Sequence, residues 1–262
     1  MPVALKRSRL ELWRDVIFAL FIRHLRSRFN DKFGISWLII QPVIFILVLS
    51  SLRGRLTGEE VHGIPVFIFM LLGMGVVVQF LSIWSSISTC IRKDKPLYAF
   101  RQVIPFASFI TSAILEIISY IIVLLILFMI AILLGFHVTI DNPLLFILYL
   151  LEVQMIALAV GLIFSVGQLF VIEVNKLQAL LQRPMIFVSG AFFTLSDIPQ
   201  EAWPYLAWNP VLHAVELARG AAYESFVPVS AISSTYLHVF TLSISFLALS
   251  IYTVCWRRMI SR

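Results

Sequence analysis

Apolar residues in this chain run in long blocks interrupted by short polar stretches, with only occasional amphipathic alternation. A membrane core about 30 Å thick needs roughly 20 apolar residues per helical crossing. Blocks that meet or approach this length fall at 35–52, 64–91, 106–136, 143–174, 180–195 and 236–256, the fifth being short. The pattern therefore predicts an all-α integral membrane protein with six crossings. Ahead of them, Leu10, Trp13, Ile17, Leu20 and Phe21 recur at three- and four-residue spacing, with Arg14, Asp15 and Arg23 elsewhere around the turn. This is the signature of an amphipathic helix lying in the membrane interface, with its arginines, Arg26 and Arg28 among them, near anionic headgroups.

Two polar stretches are not simple connectors. "KPLYAFRQV" can form a short helix with Pro96 in its first turn and Pro105 beyond its end. Leu97, Phe100 and Ile104 would share one face, and Tyr98 and Arg101 another. Such a helix is suited to docking into a groove on a partner, and a solvated connector fits the pattern equally well. Residues 196–219, "SDIPQEAWPYLAWNPVLHAVELAR", keep Trp203, Tyr205, Trp208 and Leu212 although Pro199, Pro204 and Pro210 forbid one straight helix. Short helices that dip into the outer leaflet and return fit this stretch, with Trp203 and Trp208 as interfacial anchors. A loop resting on headgroups is the plainer alternative.

Composition supports lipid as the main solvent: 60% of the 262 residues are hydrophobic, 13% are charged, and mean hydropathy is +0.97. The net charge of +6 is unevenly placed. Of 20 Lys and Arg, 17 fall before the first crossing, in alternate loops and at the C-terminus; the other side holds 3. The positive-inside rule then places both termini in the cytoplasm, and this segregation argues for membrane topology instead of nucleic-acid binding. No cleavable signal peptide is expected. Cys90 and Cys255 make no metal or disulfide framework.

Candidate chemistry is sparse. Glu116 and Glu152 lie inside predicted crossings, where an ionisable group is costly and invites a functional explanation; packing or a water cavity is favoured over proton transfer. His213 and Glu216 fall on one helical face beside Arg219, which suits a polar network better than a metal site. "GMG" at 73–75 marks close helix packing. There is no GxxxxGK[ST] phosphate loop, HExxH or GxSxG. No cofactor or metal is expected in this chain, and no catalytic residue is assigned.

The interfacial basic helix, "RFNDKFGISWLIIQP", six apolar runs, the polar helix between the second and third, and "NPVLHAVELAR" at 209–219 together resemble the permease subunit of type-2 ABC exporters. The similarity extends from about residue 10 to 258 and is closest to the capsular polysaccharide export proteins of the Gram-negative inner membrane. O-antigen and teichoic acid exporters come next. The resemblance implies residues 1–30 as an interface helix and 31–259 as the transmembrane domain. It implies 93–104 as a coupling helix, with Leu97, Tyr98, Phe100 and Arg101 against an ATPase. It also implies 198–216 as an outer re-entrant lid carrying Trp203, Tyr205, Trp208, Asn209, Pro210, His213, Glu216 and Arg219. Its translocation path would be lined by Trp37, Gln41 and Phe45 from the first crossing and by Phe187, Phe192 and Phe193 from the fifth.

The partners implied are a second copy, a separate subunit carrying ATP and Mg, a periplasm-spanning protein, an outer-membrane channel and a lipid-linked polysaccharide. A drug or lipid exporter of the same fold is one rival. An integral membrane enzyme using Glu116, Glu152, His213 and Glu216 is another.

Overall fold

The computed structural model describes residues 8–29, 34–58, 60–100 and 102–261. Arg101 lies outside the described residues, as do the side chains of Arg28 and Trp37. Helix α1 (Arg9–Phe29) opens with a reciprocal cap: Ser8 N–H donates to Glu11 Oε2 at 2.9 Å, and Glu11 N–H donates to Ser8 Oγ at 3.2 Å. Helix α2 (Gly34–Thr57) carries Pro42 within it and leads into a two-stranded hairpin, β1 (Glu60–Val61) and β2 (Ile64–Pro65).

Helix α3 (Val66–Asp94) is the axis of the fold, packed against α2, α4, α5 and α8 and buried along most of its length. Helix α4 (Pro105–Leu133) supports α1 across its N-terminal half, where the Trp13 and Phe106 rings lie 6.1 Å apart. Helix α5 (Pro143–Phe170) packs against α3 and against the final helix α9 (Ser234–Ser261). Between them come α6 (Val174–Val188), the single turn α7 (Trp203–Leu206) and α8 (Pro210–Ala222). Helices α3, α4, α5 and α9 are long and apolar enough to cross a membrane.

Two expectations are corrected. The fifth apolar run, expected at 180–195, is helical from Val174 and stops at Val188. Its 15 residues reach roughly 22 Å, short of a full crossing. Gly190, at φ +71°, breaks it in a left-handed turn so close to α8 that an added Cβ would sit 2.7 Å from Leu212 Cδ1. Phe192 and Phe193 therefore lie beyond the helix and not on one of its faces. The expected helix at 93–104 is instead the end of α3 followed by a 3₁₀ turn, Lys95–Ala99. Three residues per turn and the bend at Phe100 undo the faces expected of an α-helix.

Candidate functional site

Three polar assemblies stand out in a chain that has few charges. The outermost centres on α8. Its N-cap is Asn209, whose Oδ1 accepts from Val211 N–H at 3.0 Å while its Nδ2 donates to Val188 O and Ser189 Oγ. One side chain thus starts α8 and closes α6. His213 Nε2 donates to Ala207 O at 2.7 Å and Nδ1 accepts from Ser233 N–H at 3.0 Å, an arrangement that selects the Nε2–H tautomer. Glu216 Oε1 accepts from Leu195 N–H at 3.0 Å. The expected network among His213, Glu216 and Arg219 takes another form: each member ties α8 to backbone instead of bonding to the others.

Arg219 is the most demanding member, being fully buried. Its guanidinium stacks 3.7 Å from the Phe69 ring and donates to the carbonyls of Phe193 (3.1 Å), Phe69 (3.3 Å) and Ala191 (3.5 Å). Cation–π attraction and several carbonyl acceptors replace the water it gives up. Arg53 of α2 lies 4.8 Å from the same ring. The Arg219 tip lies over Gly73, where an added Cβ would be 2.1 Å from Nη2 and 2.5 Å from Ala191 O. Nearby, His62 of the hairpin turn meets Asp197 Oδ1 at 2.8 Å, and Asp197 Oδ2 accepts from Thr194 N–H. Burial would raise the Asp197 pKa, but the Thr194 N–H, His62 and Arg53 together hold it below the usual carboxylate range.

The second assembly is a cleft of about 710 Å³ between α2, α3 and α4, touched by Ile186 of α6. Gln41, Phe45 and Val48 form its α2 wall, and Gln79, Ser82, Glu116 and Tyr120 line the rest. Ser82 Oγ donates to Glu116 Oε2 at 3.4 Å and Gln79 Nε2 donates to Glu116 O at 3.3 Å. The structure thus gathers Gln41, Phe45 and Glu116 from separate runs into one apolar groove with a polar floor. Phe187 is 66% exposed on α6, its ring 6.0 Å from that of Phe192. Phe193 contributes its carbonyl to Arg219.

The third assembly lies at the other end of α3. Asp94 is buried, and its Oδ1 meets His24 Nε2 at 2.9 Å and accepts from Arg23 Nη1 at 3.4 Å. This ties α1 to the end of α3. Tyr98, expected on a face toward a partner, turns inward and donates to Ser108 Oγ at 3.0 Å. A tyrosine buried beside a hydroxyl satisfies its polar tip within the fold. Phe100 is 65% exposed, and Leu97 is half-buried.

Asp94 was concealed in "RKDK", where it reads as one charge in a solvated run. The partner of Glu152 was equally hidden: His238 Nδ1 lies 2.5 Å from Glu152 Oε1, joining α5 to α9 across 86 positions of sequence. Glu116, Glu152 and Glu216 thus each have their own neighbourhood and do not assemble one acid–base set. Among the described residues, no group of three or more His, Cys, Asp or Glu could hold a metal. On the outer surface, Trp203 Nε1 donates to Ile198 O, Trp208 Nε1 donates to Tyr205 O, and Tyr236 OH donates to Trp208 O. Tyr205 and Trp208 are largely exposed and Pro210 is buried.

Comparison with known proteins identifies similar chains. The ABC-2 type transporter membrane family matches residues 15–223. The polysialic acid transport protein KpsM of Escherichia coli is 33% identical over 248 residues, covering 94% of this chain and 95% of that protein. The capsule polysaccharide export inner-membrane protein BexB of Haemophilus influenzae is 24% identical over 219 residues, with 81% of each chain covered. CtrC of Neisseria meningitidis serogroup B, which carries the same description, is 22% identical over 219 residues, with 83% of each covered.

Proposed function

This chain belongs to the ABC-2 type transporter membrane family, and from that membership we propose that it is the permease subunit of an ATP-driven exporter of capsular polysaccharide in the bacterial inner membrane. The observation that carries the proposal is the end-to-end similarity to KpsM, over 94% of this chain and 95% of the other. With no phosphate loop in the sequence, ATP and Mg would be bound by a separate ATPase subunit.

Two copies would enclose the path. Each would contribute the exposed α2 face around Gln41 and Phe45 and the α6 face around Phe187. Sugar rings lie with their C–H faces against aromatic faces, and hydroxyls need scattered partners such as Gln41. Repeated weak contacts let a polymer advance, because a site that binds too tightly does not release. Six crossings are proposed: α2, α3, α4, α5, α6 extended by 189–195, and α9, with both termini cytoplasmic. The α7–α8 segment would form the outer lid, and its exposed rim with the β1–β2 hairpin would meet a periplasm-spanning partner feeding an outer-membrane channel. ATPase closure would act on α1 and on the exposed Phe100.

The drug-exporter reading expects a larger external segment after the first crossing than the four-residue ladder of β1 and β2 provides. The test is expression of the tagged chain in a capsule-forming bacterium lacking its own export permease. The expected outcome is surface polysaccharide, together with a stoichiometric ATPase that co-purifies with the chain. Cytoplasmic polymer accumulation despite correct membrane insertion, with no ATPase bound, would reject the assignment.

A further inference from the structure

The α1–α4 junction carries a feature that transport of a polymer does not require. A groove of about 430 Å³ runs between these helices, lined by Leu10, Trp13, Arg14, Phe18 and Ile114, with Ile17 and Phe21 completing the wall. Leu10 is 82% and Phe18 64% exposed, while Leu20 is buried on another face of α1. The groove continues into a stripe on α4. Ile114, Ile118, Ile121 and Leu125 are all exposed and are spaced by four, three and four residues, so they share one helical face. From Ile114 to Leu125 the stripe extends roughly 16 Å, about half of a 30 Å hydrocarbon core.

Arg14 stands at the mouth. Among the described residues its close charge partner is Asp15, at 3.5 Å, and both side chains are exposed, a kind of pair that contributes little. Most of the guanidinium is therefore available to an oxyanion. Arg23 and Arg26 are exposed further along the same helix. The apolar trough has the length of one acyl chain in one leaflet, and a cation sits where that chain's headgroup would emerge.

We propose that this groove is a discrete binding site for one anionic phospholipid of the cytoplasmic leaflet, with an acyl chain along Phe18 and the α4 stripe and the phosphate on Arg14. The proposal goes beyond export itself: it makes the resting position of α1 dependent on lipid charge. An occupant from lipid is favoured over a protein because the trough is continuous with the membrane-facing surface of α4. The charge at its mouth also matches a phosphodiester.

The test uses the full chain in nanodiscs of equal palmitoyl-oleoyl phosphatidylglycerol and phosphatidylcholine, released into native mass spectrometry. The expected result is one retained phosphatidylglycerol per chain, in preference to phosphatidylcholine. Arg14→Gln should lower retained phosphatidylglycerol about fivefold without changing phosphatidylcholine, the scale of one surface cation. Ile114→Trp, which fills the trough, should lower retention of both lipids; its monodisperse elution checks that it is folded. Equal retention of the two lipids by the unmodified chain, or unchanged retention in both variants, would overturn the proposal. So would a photo-crosslinker at position 18 that captures a second protein chain in the membrane instead of lipid.

Discussion

Replacing Gly73 by Ala adds one carbon at the point where α3 passes beneath Arg219. That carbon would sit 2.1 Å from Nη2, 2.5 Å from Ala191 O and 3.1 Å from Gly190 O. A side-chain tip can swing away cheaply, but two of these atoms are backbone carbonyls in a turn closed by α8. Overpacking of this kind costs about 1–3 kcal/mol. If the guanidinium withdraws instead, it loses acceptors at 3.3 and 3.5 Å and its place over Phe69, at roughly 1.5–3 kcal/mol for a charged hydrogen bond. The expected loss is therefore about 2–4 kcal/mol, a large part of the ~5–15 kcal/mol by which folded domains are stable. Gly75 provides the control within the same "GMG". Its added Cβ would meet only Ile46 Cδ1, at 4.0 Å, and Gly→Ala in an open helical position gains about 0.5–1 kcal/mol. Thermal unfolding in detergent, followed by tryptophan fluorescence, should thus move in opposite directions for the two variants. Arg219→Gln in the Gly73→Ala background should add little, since both changes disrupt one contact. If Gly73→Ala melts at or above the temperature of Gly75→Ala, the close-approach argument is wrong.

The remaining expectations concern the other assemblies. Phe100→Ala should leave the melting temperature unchanged, as exposed substitutions do within about 0.5 kcal/mol, while lowering polymer exported per ATP; Tyr98→Phe should instead lose roughly 1 kcal/mol of stability. Equal effects of both on export at unchanged stability would contradict the inward role of Tyr98. Asp94→Asn should weaken the hold on α1 by about 1–3 kcal/mol, seen as at least about fivefold faster hydrogen exchange in residues 9–29 but not in α5; unaltered exchange would refute the latch. Because the Asp197 pKa is depressed, its contribution to stability is present above the ordinary carboxylate pKa and is lost as pH falls through the folded value. Asp197→Asn should therefore melt lower than the unmodified chain at pH 7, with the gap closing below about pH 4; a constant gap would count against an ionised Asp197 held by the Thr194 N–H and its neighbours. His238→Leu should cost about 1–3 kcal/mol by stranding the buried Glu152 carboxyl, and Glu152→Leu less because His238 is partly exposed, with the double variant more stable than their sum predicts; additivity within roughly 0.5 kcal/mol would show that the pair does not act as a unit.

The long apolar helices were legible because hydrophobic length is a direct demand of the solvent: the runs at 64–91 and 143–174 became Val66–Asp94 and Pro143–Phe170. Helix α1 was legible from its spacing, and the broken outer segment from its prolines. The end of α6 was not, since hydropathy continues smoothly through Ser189 to Leu195 while a left-handed Gly190 turns the backbone. Tyr98 turns inward because its residues adopt a 3₁₀ turn, in which α-helical spacing does not hold. The pairings Asp94–His24 and Glu152–His238 join positions 70 and 86 residues apart, and no local pattern in one sequence links such positions. Gly73 showed in the sequence as a small residue in a helix, but the guanidinium it admits comes from far along the chain.

The two end assemblies share one support. Arg219 grips Phe69 near the N-terminal end of α3, and Asp94 holds α1 at the C-terminal end of the same helix. The 25 positions between them span roughly 37 Å of helix with no proline within it. Neither α8 nor α1 can shift against α3 without exposing a buried charged group, which costs several kcal/mol when its partners are lost. Helix α2 touches the same ring more loosely, with Arg53 4.8 Å from Phe69, and α6 meets α3 through Gln182 Nε2 to Leu81 O at a long 3.4 Å, while Phe45 and Phe187 are exposed. In the proposed export cycle a push on α1 would reach the α7–α8 segment as movement of the α1–α3–α8 body, with the adjustment falling on the looser α2 and α6 contacts. On this reasoning the Asp94→Asn variant should separate ATP hydrolysis from export more completely than any single change in the cleft, because it cuts the connection before the motion divides.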